Sequence, residues 1–206
     1  MKGLRLFLLA GLAGIAACDV RASSVRPPQF TELVRRADSV VRGEVTAVRS
    51  EWRGSGATHR IVTLVTVRVD ESIVGARQSA MELEFLGGRV GDETLTVTDQ
   101  PQFSVGDRDI LFVAGNHRQF CPLVAMMYGR YPIVRDPADA GRELVARENG
   151  AALRSVDDIA QPLTAAAAAN QTRSAQSLAT GPMTVAAFEA SIRQAAAALG
   201  RKDRAP

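Results

Sequence analysis

Three hydrophobic periods succeed one another along the chain. Residues 6–17 (LFLLAGLAGIAA) are apolar without interruption. Phe30, Leu33, Val34 and Ala37 then fall at helical spacing, with Thr31 as the expected cap, which predicts one or two helical turns. From Val41 the period drops to two. Val41, Gly43, Val45 and Ala47 alternate with mostly polar residues, the pattern of a half-buried strand. Gly43 in its middle predicts a bulge or a strong bend. Residues 52–56 (WRGSG) read as a loop, and 61–69 (IVTLVTVRV) as a central strand, β-branched and apolar on both faces at its start.

The alternation continues beyond that strand. Met81, Leu83 and Phe85 alternate with Glu82 and Glu84, Gly87 and Gly88 make a turn, and Leu95 and Val97 alternate with threonines. A turn at 104–107 leads into a short buried run at 110–113 (ILFV). Residues 126–134 and 143–147 predict a hairpin around a Pro- and Gly-containing turn at 136–141. Many short strands with glycine turns and almost no helix predict a mostly β domain over residues 23–160, a small antiparallel barrel or sandwich. Residues 161–182, with an alanine run and then Asn, Gln, Thr and Ser, read as a low-complexity linker. Residues 183–200 predict a C-terminal amphipathic helix with Val185, Phe188, Ile192 and Leu199 on one face, and 201–206 a loose tail.

The first apolar run sets the expected compartment. Lys2 and Arg5 precede a stretch of about a dozen apolar residues, whereas a bilayer-spanning helix needs about 20. A secretory signal is therefore predicted, placing the mature chain in the periplasm or outside the cell. Two cleavage sites are open. Ile15-Ala16-Ala17-Cys18 looks like a lipobox, which would end the signal at residue 17 and make Cys18 a lipidated first residue and the membrane anchor. Val20-Arg21-Ala22 offers small or aliphatic residues for ordinary signal peptidase, ending the signal at residue 22.

Composition and chemistry narrow the function classes. The formal net charge of +3 and the lack of basic residues interleaved with aromatics argue against nucleic acid. Cys18 and Cys121 are the only cysteines, so either cleavage leaves Cys121 without an intramolecular partner, and its apolar flanks predict burial. His59 and His117 are the only histidines, and no HExxH, G-x-S-x-G, phosphate loop or paired CxxC occurs. No metal, no cofactor and no catalytic residue is expected. Trp52, Arg53 and His59 bracket a Gly-Ser-Gly loop and form the candidate binding site, with a plug at one end of the barrel as the alternative role of Trp52.

At Ala37-Asp38-Ser39-Val40-Val41-Arg42-Gly43-Glu44-Val45, with Pro27, Pro28, Gln29 and Phe30 upstream, the sequence resembles the opening of netrin-like and tissue-inhibitor-of-metalloproteinases domains. That resemblance implies an OB-like, Greek-key barrel and, further, inhibition of a protease. Those inhibitors place an N-terminal cysteine on the target's zinc and carry disulfides that this sequence lacks. From Phe30 to Arg147 the chain also resembles an uncharacterised family of short bacterial exported proteins, through phrases such as Phe103-Ser104-Val105-Gly106-Asp107 and Gly129-Arg130-Tyr131-Pro132-Ile133-Val134. The expectation is an exported, non-catalytic module that binds a protein partner, in the narrower form an exported protease. The alternatives are an envelope hydrolase using Cys121 or the two histidines, and a lipid-anchored structural protein.

Overall fold

The computed structural model describes residues 26–139, 141–163 and 181–200. The expected signal segment with Cys18, most of the expected linker and the tail 201–206 lie outside the described residues. Among the described residues the structure is mostly β, with two α-helices. The elements in chain order are α1 (Phe30–Arg36), β1 (Ser39–Arg53), β2 (Arg60–Val74), β3 (Ala80–Leu86), β4 (Gly88–Val90), β5 (Glu93–Leu95), β6 (Arg108–Val113), β7 (Arg130–Arg135), β8 (Glu143–Val145) and α2 (Val185–Ala198). Six strands form one antiparallel sheet in the order β3-β2-β1-β6-β7-β8, and β4 pairs with β5 alone.

Both faces of the large sheet are apolar where they meet, because neighbouring residues on a strand point to opposite sides. Val40, Ile110 and Phe112 face α1 and α2, against Leu33, Val34, Val185, Phe188 and Ile192. Val41, Leu111 and Val113 face the other way and pack with Val65, Val67, Leu83, Phe85, Cys121 and Leu123. This two-sided burial explains the unbroken apolar run of β6. Helix α2 is capped at Thr184, whose hydroxyl accepts the Ala187 N–H at 3.2 Å. The first helix starts one residue before Thr31: its N-cap is Gln29, without a side-chain bond.

Strands β1 and β2 are longer than the alternation suggested, 15 residues each. Trp52 and Arg53 belong to β1 rather than to a loop, paired with Ile61 and Arg60. Beyond Val48 one face of the strand is charged instead of apolar, which hid the strand. Gly43 sits at a register shift between β1 and β2. A Cβ there would run into the Arg68 carbonyl and lie 2.7 Å from Val67 Cγ1, so the bend tolerates no side chain.

The sheet is open, so a closed barrel is not shown. Its two outer edges are covered instead of joined. At β3, the Glu84 N–H donates to Asn116 Oδ1 (3.1 Å), Asn116 Nδ2 donates to the Glu82 carbonyl (2.7 Å), and the Leu86 N–H donates to the Phe120 carbonyl (2.7 Å). One asparagine thus imitates a strand residue. At β8, the Val145 N–H donates to the Met183 carbonyl (3.0 Å) and Leu144 bridges to Thr184. These contacts satisfy backbone groups that would otherwise offer a template to another strand.

Candidate functional site

The short β4–β5 hairpin folds over the sheet face at Ser50 and Thr63 and leaves a groove of about 450 Å³. That lies in the size range of ligand pockets, roughly 300–1,000 Å³. Gly88 permits this approach. A Cβ there would collide with the Thr63 hydroxyl and sit 3.0 Å from Ser50 Cβ. Beneath it, Thr63 Oγ1 donates to the Gly87 carbonyl at 2.7 Å and lies 3.0 Å from Ser50 Oγ. Since the Thr63 proton is used, Ser50 is the donor of that pair, and its oxygen lone pairs remain as acceptors.

The groove walls are Val48, Val65 and Phe85 on the sheet, residues 94–97 on the hairpin side, and residues 100–103 on the following segment. Phe103 packs on Phe85 with ring centroids 5.3 Å apart. Among the described residues that line the groove, Arg89 is the one ionisable side chain, and its Nε donates to the Gly91 carbonyl at 3.0 Å. The lining therefore offers aliphatic, aromatic, hydroxyl and amide groups and no acid–base pair.

A buried ionic cluster anchors one wall. The Arg130 guanidinium lies 4.3 Å from the Phe103 ring centroid and donates to the Gln102 carbonyl, to Asp109 (2.8 Å) and to Asp107 (2.7 Å), with Glu148 at 3.4 Å. Asp109 is only 1% exposed. Burial pushes its carboxyl up, against the pull of Arg130. Burial also pushes Glu148 up to about 7, again opposed by Arg130 and assisted by the negative charges of Asp109 and Asp107. The Arg130 guanidinium is pulled down by burial, but the surrounding carboxylates outweigh this and its pKa is raised.

The Glu148 shift carries a sign for stability. Its folded pKa lies above the ordinary carboxylate value near 4.5, so the folded state holds the extra proton between about 4.5 and 7. Its contribution is complete below that window and is lost as the pH rises through 7. Replacing Glu148 by Gln is expected to remove this loss and to raise stability at pH 8 relative to the parent by about 1–3 kcal/mol. Urea unfolding of both proteins at pH 5 and pH 8 checks it. Equal pH dependence in parent and variant would show that Glu148 titrates normally.

The three residues singled out in the sequence are only partly brought together. Trp52 and His59 stack, with ring centroids 4.3 Å apart. Arg53 points to the opposite face, where it donates to Glu51 (2.7 Å) and Glu84 (3.2 Å). Glu84 also gathers Arg60 (3.9 Å) and His117 (3.5 Å). Cys121 is 3% exposed, and burial pushes its thiol up to about 11. No hydrogen bond joins it to either histidine among the described residues. Nor do three His, Cys, Asp or Glu side chains come together in a way that would hold a metal ion there.

Sequence reasoning missed Asn116, Arg130 and the groove itself. Asp107 and Asp109, placed just before an apolar run, were the one signal for the cluster. Asn116 has no local signal, because its partners are more than 30 residues away in sequence. Comparison with protein-family models, curated proteins and solved structures found no match.

Proposed function

We propose that this chain is an exported, non-catalytic binding module, and that the groove under the β4–β5 hairpin takes a neutral, largely apolar segment of a protein partner. The lining of the groove carries this reading: it combines apolar walls with hydroxyl and amide groups, and Arg89 is its one ionisable side chain. Such a surface recognises by shape and hydrogen bonding, and no carboxylate or imidazole lines it to act as a general base on its hydroxyls. The buried, protonated Cys121 supports the same reading against a thiol hydrolase. Export rests on the N-terminal sequence pattern. Among the described residues no helix is long and apolar enough to cross a membrane.

The OB-like reading belongs to this proposal. The order β6-β1-β2-β3 follows the 4-1-2-3 pattern of a Greek key, with the long connection carrying the β4–β5 hairpin. An exported protease remains the narrower form of the proposed partner.

A photo-reactive residue tests the groove in the protein's own cells. Placed at Leu95, on the groove wall, it is expected to give a discrete adduct with an exported protein. Placed at Val105, which is exposed but does not line the groove, it is expected to give none. Adding Thr96→Arg should abolish the Leu95 adduct. Identical adduct patterns from both positions, or none from either, would contradict the proposal.

A further inference from the structure

Two edges of the large sheet are covered, but a third stretch of edge is open. Strand β1 pairs with β2 from Val40 to Arg53, apart from Thr46 at a register shift, and with β6 only from Ser39 to Glu44. The Val45 N–H donates to the Asp107 carbonyl and the Val45 carbonyl accepts the Gly106 N–H, both at 2.8 Å. From Thr46 to Arg53 no further backbone hydrogen bond is made on that side among the described residues. An open run of this length is an invitation to another strand.

The side chains along it are self-complementary. Val48, Ser50 and Trp52 lie on the groove face, and Arg49, Glu51 and Arg53 on the other. Val48 and Trp52 are each 37% exposed, although both are large and apolar. Place a second copy antiparallel across this edge with the two-fold axis at Ser50. Arg49 then faces Glu51 of the copy, Glu51 faces its Arg49, and Val48 faces its Trp52. The Arg49–Glu51 and Val48–Trp52 pairs are favourable and each occurs twice, as an isologous contact demands, while Ser50 faces its own copy on the axis. Shifting the axis by one residue either way sets Arg49 against Arg49 or Glu51 against Glu51. In the single chain Arg49 bonds Glu51 and Glu82, and both contacts are solvent-exposed, so redirecting one to the copy costs little.

We infer that the chain forms a two-fold symmetric dimer by pairing residues 47–53 of β1 antiparallel with the same residues of a second copy, in the register that sets Arg49 against Glu51. The dimer goes beyond the groove reading and stands or falls separately, because association is measured without any groove ligand.

Sedimentation velocity on the full chain, over a concentration series reaching about 0.5 mM, is expected to show a monomer–dimer equilibrium. Arg49→Glu and Glu51→Arg each create two like-charge pairs, and each should weaken the dimer at least about tenfold. Mixing the two variants should restore association as a heterodimer. Positions 49 and 51 are both acidic in the first variant and both basic in the second, so both facing pairs regain opposite charges. Circular dichroism and urea unfolding of each variant confirm that the fold is kept. A parent chain that stays monomeric throughout would overturn the inference. So would a dimer indifferent to either substitution, variants that fail to heterodimerise, or an edge that takes extended peptides while the chain remains monomeric.

Discussion

Replacing Arg130 by Met is expected to destabilise the fold by about 3–5 kcal/mol, the range for removing one partner of a buried ion pair. The reason lies in what is left behind. Asp109 is almost fully enclosed and has one oxygen without a hydrogen-bond partner even in the intact protein. Without the guanidinium, both Asp109 and Glu148 must be neutralised or exposed. The urea midpoint reports the loss, with an unchanged slope if the unfolded state is unaffected. Adding Asp109→Asn should recover part of it, because the stranded charge disappears with its partner. A loss below about 1 kcal/mol would place the cluster in the class of screened surface pairs. Function should suffer too, since Arg130 ties down Gln102 and Phe103, which form part of the groove wall.

Truncating Phe188 to Ala should cost a similar amount, about 3–5 kcal/mol, by leaving a cavity in a packed core. Phe188 is fully buried. Its ring lies 5.0 Å from Tyr131, 6.1 Å from Phe30 and 6.2 Å from Phe112, centroid to centroid. One side chain of α2 thus joins α1, β6 and β7. The expected result is a single cooperative unfolding transition moved to lower denaturant. If α2 were only an appendage, its backbone amides would exchange early while the sheet kept its parent stability. Hydrogen exchange by mass spectrometry separates these outcomes.

The β1–β2–β3 meander and β6 were legible in the sequence because their apolar alternation reports burial on one or both faces. The breaks in that pattern were harder to read. Residues 94–98 alternate cleanly, yet only Glu93–Leu95 is a strand, and it is exposed, so its alternation reflects no buried face. Residues 126–129 look like strand but form a 3-10 turn. Ala125 and Met126 enter it with φ of 52° and 57°, a left-handed conformation that the absence of glycine there conceals. The charged end of β1 read as loop because Arg49 and Arg53 are held by Glu82 and Glu84 across the sheet, contacts that local periodicity does not encode.

The candidate site was less legible than the fold. Trp52 and His59 were seen as neighbours of a loop, and they do stack. The groove depends on a hairpin landing on Ser50 and Thr63, far earlier in the chain than its own strands, and on Gly88 permitting the approach. A Gly-Gly pair after a strand reads equally well as an ordinary turn. Arg130 lies inside a stretch of apolar and aromatic residues, where one arginine in an arginine-rich chain carries no signal until its three carboxylates are placed around it.

The groove reading is tested most directly by amide chemical-shift mapping of the full chain against peptides selected from a random library. Selected peptides should be neutral and largely apolar, and should bind in about the 1–100 µM range. Their perturbations should centre on Ser50, Thr63, Gly88 and residues 94–103. Leu95→Arg should weaken binding at least about tenfold while leaving the unbound spectrum intact. Selection of no peptide, perturbations confined to another face, or peptides cleaved during the titration would contradict a non-catalytic binding groove.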